Sequence, residues 1–321
     1  MQTTFAVRET RESVLTDNNH PVGMIFDIQR FGIHDGPGIR TIVFLKECPL
    51  NCWWCHNPEG RFHSRDLMYF EYRCTECNLC IDACPKKAIS STPKGVAIDG
   101  EVCNRCSKCS EICPSDALVS VGRELTVEQL MEIVERDVLL YDRSGGGVTF
   151  SGGEPLAQPV FLKKSLEECK VREIQTAIET SGYASRQLFD SISKGVDIFL
   201  YDLKLMDDEE HRKYCGCSNA NTLCNLKALI EDGRGKDVTI RFPFIPGITD
   251  SERNISALVG LLPSLKGVKE IDILPYHDAG EKYARLGMQY NMKVHSAPPE
   301  LLLKSTKERF EKIGLVVKIG G

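Results

Sequence analysis

The chain has 321 residues, 42% of them hydrophobic and 7% aromatic, which is enough apolar material for one large or two modest cores. Forty Lys and Arg against 45 Asp and Glu leave a formal charge of −5, which excludes a chain-wide basic field for gripping nucleic acid. The longest run without a charged residue, Tyr214–Leu226, is thirteen residues with three Asn, short of the roughly 20 apolar residues a membrane-spanning helix needs.

Residues 1–20 read as an N-terminal extension, polar and acidic throughout and without the apolar stretch of a signal peptide, so export is not expected. From there, short β-rich runs alternate with helical patterns. The runs are Thr41–Leu45, Val148–Phe150, Gln175–Ile178, Ile198–Tyr201, Val238–Phe242 and Glu270–Leu274, with Leu315–Ile319 as a final candidate. The helical patterns are Thr126–Tyr141 with Thr126 as N-cap, Gln158–Cys169, Ser185–Lys194, Asn219–Asp232, Ser251–Leu262 and Pro299–Ile313. Strands alternating with helices predict an α/β fold with a parallel sheet, closed as a partial β/α barrel; an open doubly wound sheet is the alternative. Cys48, Ser151–Glu154, Glu179–Gly182, Asp202–Lys204, Arg241 and Tyr276–His277 all fall at or just after a strand end. That is the face on which β/α barrels build active sites.

The pattern is interrupted between residues 66 and 120. Eleven of the fifteen cysteines lie between Cys48 and Cys113, and in a chain without an export signal such density favours metal ligation over disulfides. Cys74, Cys77, Cys80, Cys84-Pro85 and Cys103, Cys106, Cys109, Cys113-Pro114 have the same internal spacing, an internal duplication. The C-x2-C-x2-C-x3-C-P run is the spacing of bacterial two-cluster ferredoxins, in which the fourth cysteine of each run serves the other cluster. One [4Fe–4S] cluster is therefore assigned to Cys74, Cys77, Cys80 and Cys113, the other to Cys103, Cys106, Cys109 and Cys84. Paired zinc sites are the simpler alternative, but blocks ending in Cys-Pro are untypical of zinc ribbons. A third group, Cys48, Cys52 and Cys55, has no close fourth cysteine. It reads either as a cubane with one open iron or as a zinc site completed by His56.

At this triplet the sequence resembles the radical S-adenosylmethionine (SAM) enzymes, and Ser151-Gly152-Gly153-Glu154-Pro155 resembles their second motif. With Ile33–Arg40 ahead of the triplet and the ferredoxin-like insert after it, the chain is similar to the insert-bearing activating enzymes of glycyl radical enzymes. The resemblance implies a partial (β/α)6 TIM-like barrel from residues 21–65 and 121–321, with a two-cluster insert at 66–120. It implies three [4Fe–4S] clusters, SAM cleaved reductively to methionine and a 5′-deoxyadenosyl radical, and hydrogen abstraction from a backbone glycine of a partner enzyme. It further implies a flavodoxin or ferredoxin-type electron donor, a monomer, no membrane or nucleic-acid partner, and a cytoplasmic location. Some family members enter bacterial microcompartments through N-terminal tails, although nothing in residues 1–20 is amphipathic enough to claim that.

Residue by residue, the resemblance makes Cys48, Cys52 and Cys55 the catalytic cluster ligands and sets Trp54 against adenine. Gly152, Gly153 and Glu154 meet the methionine ammonium, Lys204 its carboxylate, and Asp202 with His277 the ribose hydroxyls; Thr180, Ser181 and Arg241 complete the SAM contacts. Thr180 and Asp202 also match a monovalent-cation site, but Glu179 stands where Asp is expected. Asp35 and Arg40 sit in an Asp-Gly-Pro-Gly turn that either faces the substrate glycine loop or serves only as a turn. Cys169, Cys215, Cys217 and Cys224 fit no cluster spacing and read as incidental thiols. Two other functions compete: an electron-transfer module in which the insert is the function, and a radical enzyme acting on a small molecule. Deoxyadenosine release separates the first from an activase, and the Asp35–Arg40 motif argues against the second.

Overall fold

The computed structural model describes residues 20–320. The extension read at residues 1–20 lies outside them except for His20. Thirteen strands follow in chain order: β1 (Val22–Gly32), β2 (Arg40–Leu45), β3 (Asp66–Tyr69), β4 (Ile89–Thr92), β5 (Gly95–Ile98), β6 (Leu118–Val121), β7 (Arg123–Thr126), β8 (Gly147–Gly152), β9 (Gln175–Thr180), β10 (Ile198–Asp202), β11 (Val238–Phe244), β12 (Glu270–Pro275) and β13 (Val316–Ile319). Nine of them form one sheet in the order β13-β12-β11-β10-β9-β8-β2-β1-β7. From β2 to β13 every neighbouring pair is parallel, so seven parallel strands are joined by six connections. The strands are laid down in sequence order without the reversal that defines a doubly wound sheet, so the barrel alternative holds. The two edge strands, β13 and β7, do not pair with each other, and the barrel is partial.

The sequence pattern did not reveal β1, which pairs antiparallel with both β2 and β7. Its burial runs Met24 and Ile25 in, then Asp27, Gln29 and Arg30 outward, without the strict alternation that marks a strand. The helix predicted at Thr126–Tyr141 is two helices, Val127–Val134 and Val138–Ser144, with a 3-10 turn between them. The break turns Asp137 inward to accept from Arg30 Nε at 2.8 Å and from Thr41 Oγ1 at 3.0 Å. Thr126 does cap the first helix: its hydroxyl accepts from Gln129 N, and Gln129 Oε1 accepts from Thr126 N. Val127, Leu130, Met131 and Val134, spaced for one helical face, are buried in the main core, each contributing about 1.5–3 kcal/mol of hydrophobic stabilisation. The helix Asp208–Cys215 was also invisible, because its sequence is charged and buries only His211 and Cys215.

The cysteine duplication stands on an antiparallel neck, β3 against β6, that leaves the barrel after Leu45 and returns just before β7. Lys46 locks the neck. It is fully buried and donates to the Glu59 carbonyl at 2.5 Å and to Asp66 Oδ2 at 2.7 Å. Asp66 Oδ1 faces Arg105, from between Cys103 and Cys106, at 3.6 Å. The core under the insert is small: Cys80, Ile89, Val96, Cys109 and Leu118.

Candidate functional site

Strands β2, β8, β9, β10, β11 and β12 surround a cavity of about 390 Å³. Cys48, Cys52, Cys55, Trp54, Asp35, Gly152, Gly153, Glu154, Thr180, Ser181, Asp202, Lys204, Arg241 and His277 all line it. Arg40 does not: its guanidinium points beneath the sheet to Thr149 Oγ1 (2.6 Å), Gln175 Oε1 (3.0 Å) and the Val148 carbonyl (2.8 Å), and burial pushes its pKa down to about 10. Thr149 in turn donates to the Asp35 carbonyl at 2.6 Å, so Arg40 holds the turn from below while Asp35 faces the cavity.

The triplet loop is clamped by the segment after β10. Asn51 N donates to the Cys215 carbonyl at 2.7 Å and Trp53 N to the Tyr214 carbonyl at 3.0 Å, gripping the backbone on both sides of Cys52. Leu50, Cys52, Trp54, Cys215, Cys217, Tyr276 and Met292 form a separate buried cluster. Cys215 and Cys217 therefore pack behind the triplet loop, which their spacing alone gave no reason to expect. The Cys215 thiol lies against Cys52 and lowers its pKa, whereas burial raises Cys48 well above the ordinary thiol value and pushes Cys55 up to about 11.

Across the cavity, Gly152 has φ +107°, and a Cβ at Gly153 would sit 2.3 Å from the Glu47 carbonyl oxygen and 2.6 Å from that of Gly60. Only glycines let this turn approach the triplet loop so closely. Glu154 is buried with both oxygens engaged: Oε1 accepts from Thr180 Oγ1 at 2.5 Å, and Oε2 from Ser181 N and Oγ at 2.9 and 2.6 Å. Burial raises its pKa against those hydrogen bonds. Glu179 accepts from Arg241 at 2.7 Å and from Ser151, and Arg241 reaches Asp35 at 3.4 Å. Burial works against the Arg241 charge, but Glu179, Asp202, Asp35 and Asp272 outweigh it and raise the pKa. The same balance holds for Lys204, opposed by burial and held protonated chiefly by Asp202, to which it donates at 2.6 Å. Asp202 Oδ1 and Arg241 Nε are buried with no hydrogen-bond partner among the described residues. His277 is exposed at the rim, and its carbonyl oxygen lies 2.8 Å from His56 Nε2.

These donors suit a ligand that offers both charges. Asp35, Glu154, Glu179 and Asp202 outnumber Arg61, Lys204 and Arg241 along the wall, as fits a molecule whose sulfonium and ammonium outnumber its carboxylate. Two family models match the chain, the Radical SAM superfamily over residues 101–258 and the 4Fe-4S dicluster domain over 73–117; the first does not reach the Cys48–Cys55 triplet. The chain is 40% identical to the trans-4-hydroxy-L-proline dehydratase activating enzyme of Clostridioides difficile, with 93% of this chain and 99% of that one aligned. It is 39% identical to the choline trimethylamine-lyase activating enzyme of Oleidesulfovibrio alaskensis, with 92% and 97% aligned. The chain belongs to the glycyl-radical-enzyme activating enzymes of the radical SAM superfamily. The fold is also that of Streptococcus suis SuiB bound to its precursor peptide SuiA, at 14% identity and a TM-score of 0.51 over 87% of this chain and 48% of that one.

In this activase the duplicated insert repeats in backbone as well as in sequence. Glu76, Asn78 and Lys87 have φ of 56°, 62° and 52°, and Arg105, Ser107 and Asp116, their counterparts in the second run, have 55°, 65° and 51°. Six non-glycine residues in the left-handed region carry a local cost. What the conformation supplies is backbone N–H groups turned onto sulfur: Ala88 N to Cys84 Sγ at 3.2 Å and, at the equivalent place in the second run, Ala117 N to Cys113 Sγ at 3.3 Å. Burial raises the Cys80 thiol, and the thiols that press on it are Cys113, Cys74 and Cys77; burial pushes Cys109 up to about 11, with Cys103 and Cys84 acting on it. Cys113 of the second run thus lies near the thiols of the first, and Cys84 of the first run near those of the second. Among the described residues no three such side chains stand close enough to chelate a single ion. The all-thiol donor sets, with amides aimed at sulfur, fit iron–sulfur clusters.

Proposed function

We propose that the activase binds SAM in the cavity above Cys48, Cys52 and Cys55 and delivers radical chemistry to a backbone glycine of a partner glycyl radical enzyme. The observation that carries this reading is the convergence on one cavity of residues drawn from six strands and the triplet loop. With SAM bound, the open cluster supplies an electron to the sulfonium, releasing methionine and a 5′-deoxyadenosyl radical that removes the glycine hydrogen. The protein's own part is binding, orientation and exclusion of water.

Cys48, Cys52 and Cys55 would hold three irons of a cluster and leave the fourth for SAM, and the carbonyls of the Gly152-Gly153 turn, which lines the same cavity, would accept from the methionine ammonium. Glu154 acts by fixing Thr180 and Ser181 at the end of β9. Lys204 would pair with the methionine carboxylate, Asp202 would offer its unpartnered Oδ1 to the ribose with His277 at the rim, and Trp54 would pack against adenine. Asp35, tied to Arg241, faces the incoming glycine loop. A monovalent cation would have to displace Arg241 from Glu179, Thr180 from Glu154 and Lys204 from Asp202, and this supports the guanidinium serving in its place.

The insert, residues 66–120 between the barrel segments 21–65 and 121–321, carries two further clusters with crossed ligands, making three in all. They pass electrons from a flavodoxin or ferredoxin-type donor to a monomeric, cytoplasmic enzyme; no helix among the described residues is long and apolar enough to cross a membrane. The decisive experiment is anaerobic reconstitution followed by SAM and a strong reductant. Deoxyadenosine is expected, together with a glycyl radical signal by electron paramagnetic resonance (EPR) when the partner lyase or dehydratase is present. Absence of both from protein with full iron content overturns the reading.

A further inference from the structure

The short helix Gly280–Arg285 touches three neighbours at once. Lys282 Nζ donates to the His56 carbonyl at 2.7 Å and pairs with Glu59 at 2.9 Å, so the helix is pinned to the loop that follows Cys55. At its other end Arg285 lies 4.8 Å from the centre of the Phe70 ring, which Arg73 covers at 4.3 Å just before Cys74. Between these contacts Tyr283 points inward. It is 2% exposed, and its hydroxyl has no hydrogen-bond partner among the described residues.

A buried hydroxyl without a partner is uncommon, because the water it gave up on folding is not replaced. The neighbouring aromatics do not supply the partner. Tyr290 stacks against Tyr283 with ring centres 4.7 Å apart, but its own hydroxyl is engaged with that of Tyr276 at 2.8 Å. What lies nearby is the triplet loop: Lys282, the preceding residue, is bonded to the carbonyl of His56, which follows Cys55, and Tyr290, set against Tyr283, belongs to the same packed group as Cys48, Cys52 and Cys55. A cubane held by these cysteines brings sulfur acceptors, both sulfide and thiolate, into a space where the free thiols leave the hydroxyl unpaired.

We propose that Tyr283 donates its hydroxyl hydrogen bond to the iron–sulfur cluster held by Cys48, Cys52 and Cys55, and thereby sets that cluster's reduction potential. This rests on the reading that the triplet holds the open cluster. Hydrogen bonds to cluster sulfur favour the more negative, reduced state and raise the potential, and they act strongly in an apolar pocket. The effect is useful here, since the electron must reach this cluster before any chemistry begins. Lys282 and Arg285 fix the ring's position from either side, so the bond is held by the same helix that joins the triplet loop to the insert.

The test is Tyr283→Phe in the fully loaded enzyme, followed by EPR during redox titration with and without SAM. SAM perturbs only the cluster with an open iron, so its signal is separated from those of the insert. At a fixed solution potential the reduced-to-oxidised ratio of the SAM-sensitive signal is expected to fall roughly tenfold, a shift of about 59 mV for one electron, with the insert signals unmoved. Tyr290→Phe, whose hydroxyl already has a partner, should leave the ratio unchanged. Stability gives a second readout: iron-free Tyr283→Phe should melt at or above the iron-free parent, and the loaded variant below the loaded parent. An unshifted SAM-sensitive signal, an equal shift of all three clusters, or a loaded variant that gains stability overturns the proposal and leaves the function standing. If the parent enzyme shows no SAM-sensitive signal, the open cluster and this inference fall together.

Discussion

The triplet and the insert use the same ligand, cysteine thiolate at close spacing, but the chain holds it in opposite ways. In the insert, Cys77 and Cys106 are exposed and the core is a handful of side chains; geometry comes from local turns, copied from the first run to the second down to the φ values. At the triplet the loop is gripped by backbone from Tyr214 and Cys215, walled by Trp54, Tyr276 and Met292, and faced by charged groups from several strands. Local turns suffice to present a closed set of four thiols. A cluster with an open iron needs a wall that the turn cannot build for itself, because the open side must be dry, shaped and charged.

The contrast between the two regions breaks hardest at the ligands. Cys52→Ala should reduce deoxyadenosine formation to background while iron falls from about twelve to about eight atoms per chain, three cubanes becoming two. Retained cleavage at eight irons would mean that the triplet is not the reactive site. Cys77→Ala, in the insert, should spare cleavage driven by a strong chemical reductant and slow it when a protein donor is used; equal losses with both would erase the division of labour.

Stripping iron under anaerobic conditions sharpens the structural side. Because so little of the insert is packed without its clusters, amide exchange over residues 66–120 should rise sharply while β8 to β12 stay protected. Simultaneous loss of protection in the barrel would show the two regions to be one folding unit. The joint between them is next in size. Lys46→Met leaves Asp66, only 4% exposed, with Arg105 at 3.6 Å as its remaining partner. A destabilisation of about 3 kcal/mol in urea unfolding is expected, and a loss below about 1 kcal/mol would deny that the neck is locked by this pair. The smallest effect belongs to the barrel alone: Thr126→Ala removes a capping-box hydroxyl and should cost about 1 kcal/mol with no change in iron content.

The barrel strands were legible because each is a short apolar run closed by a turn, and most of the helices because a capping residue precedes a periodic stretch. β1 and the Asp208–Cys215 helix were not, since neither has a clean period: the first turns polar residues out along one strand, and the second buries only two of its eight side chains. The candidate site was legible as residue types at strand ends. How those residues spend their hydrogen bonds was not. Glu154 serves Thr180 and Ser181 across 26 and 27 positions, and Glu179 takes Arg241 across 62, distances over which no local pattern speaks.

The sequence by itself determined the insert, because a cluster loop is made within a few residues of chain: spacing, prolines and left-handed turns all act locally, and a duplication copies them whole. It also determined which strand ends could carry chemistry. Tertiary structure decided what faces the triplet. Cys215 looked like a spare thiol and became the wall behind Cys52, and of the two readings left open for the Asp35–Arg40 turn, Arg40 took the structural one, bonded beneath the site to Thr149. Tyr283, unremarked in the sequence, arrived beside the cluster loop with its hydroxyl unspent. Burial and pairing are properties of positions brought together by the sheet order, and residues more than two hundred places apart in the chain carry no sign of that until it closes.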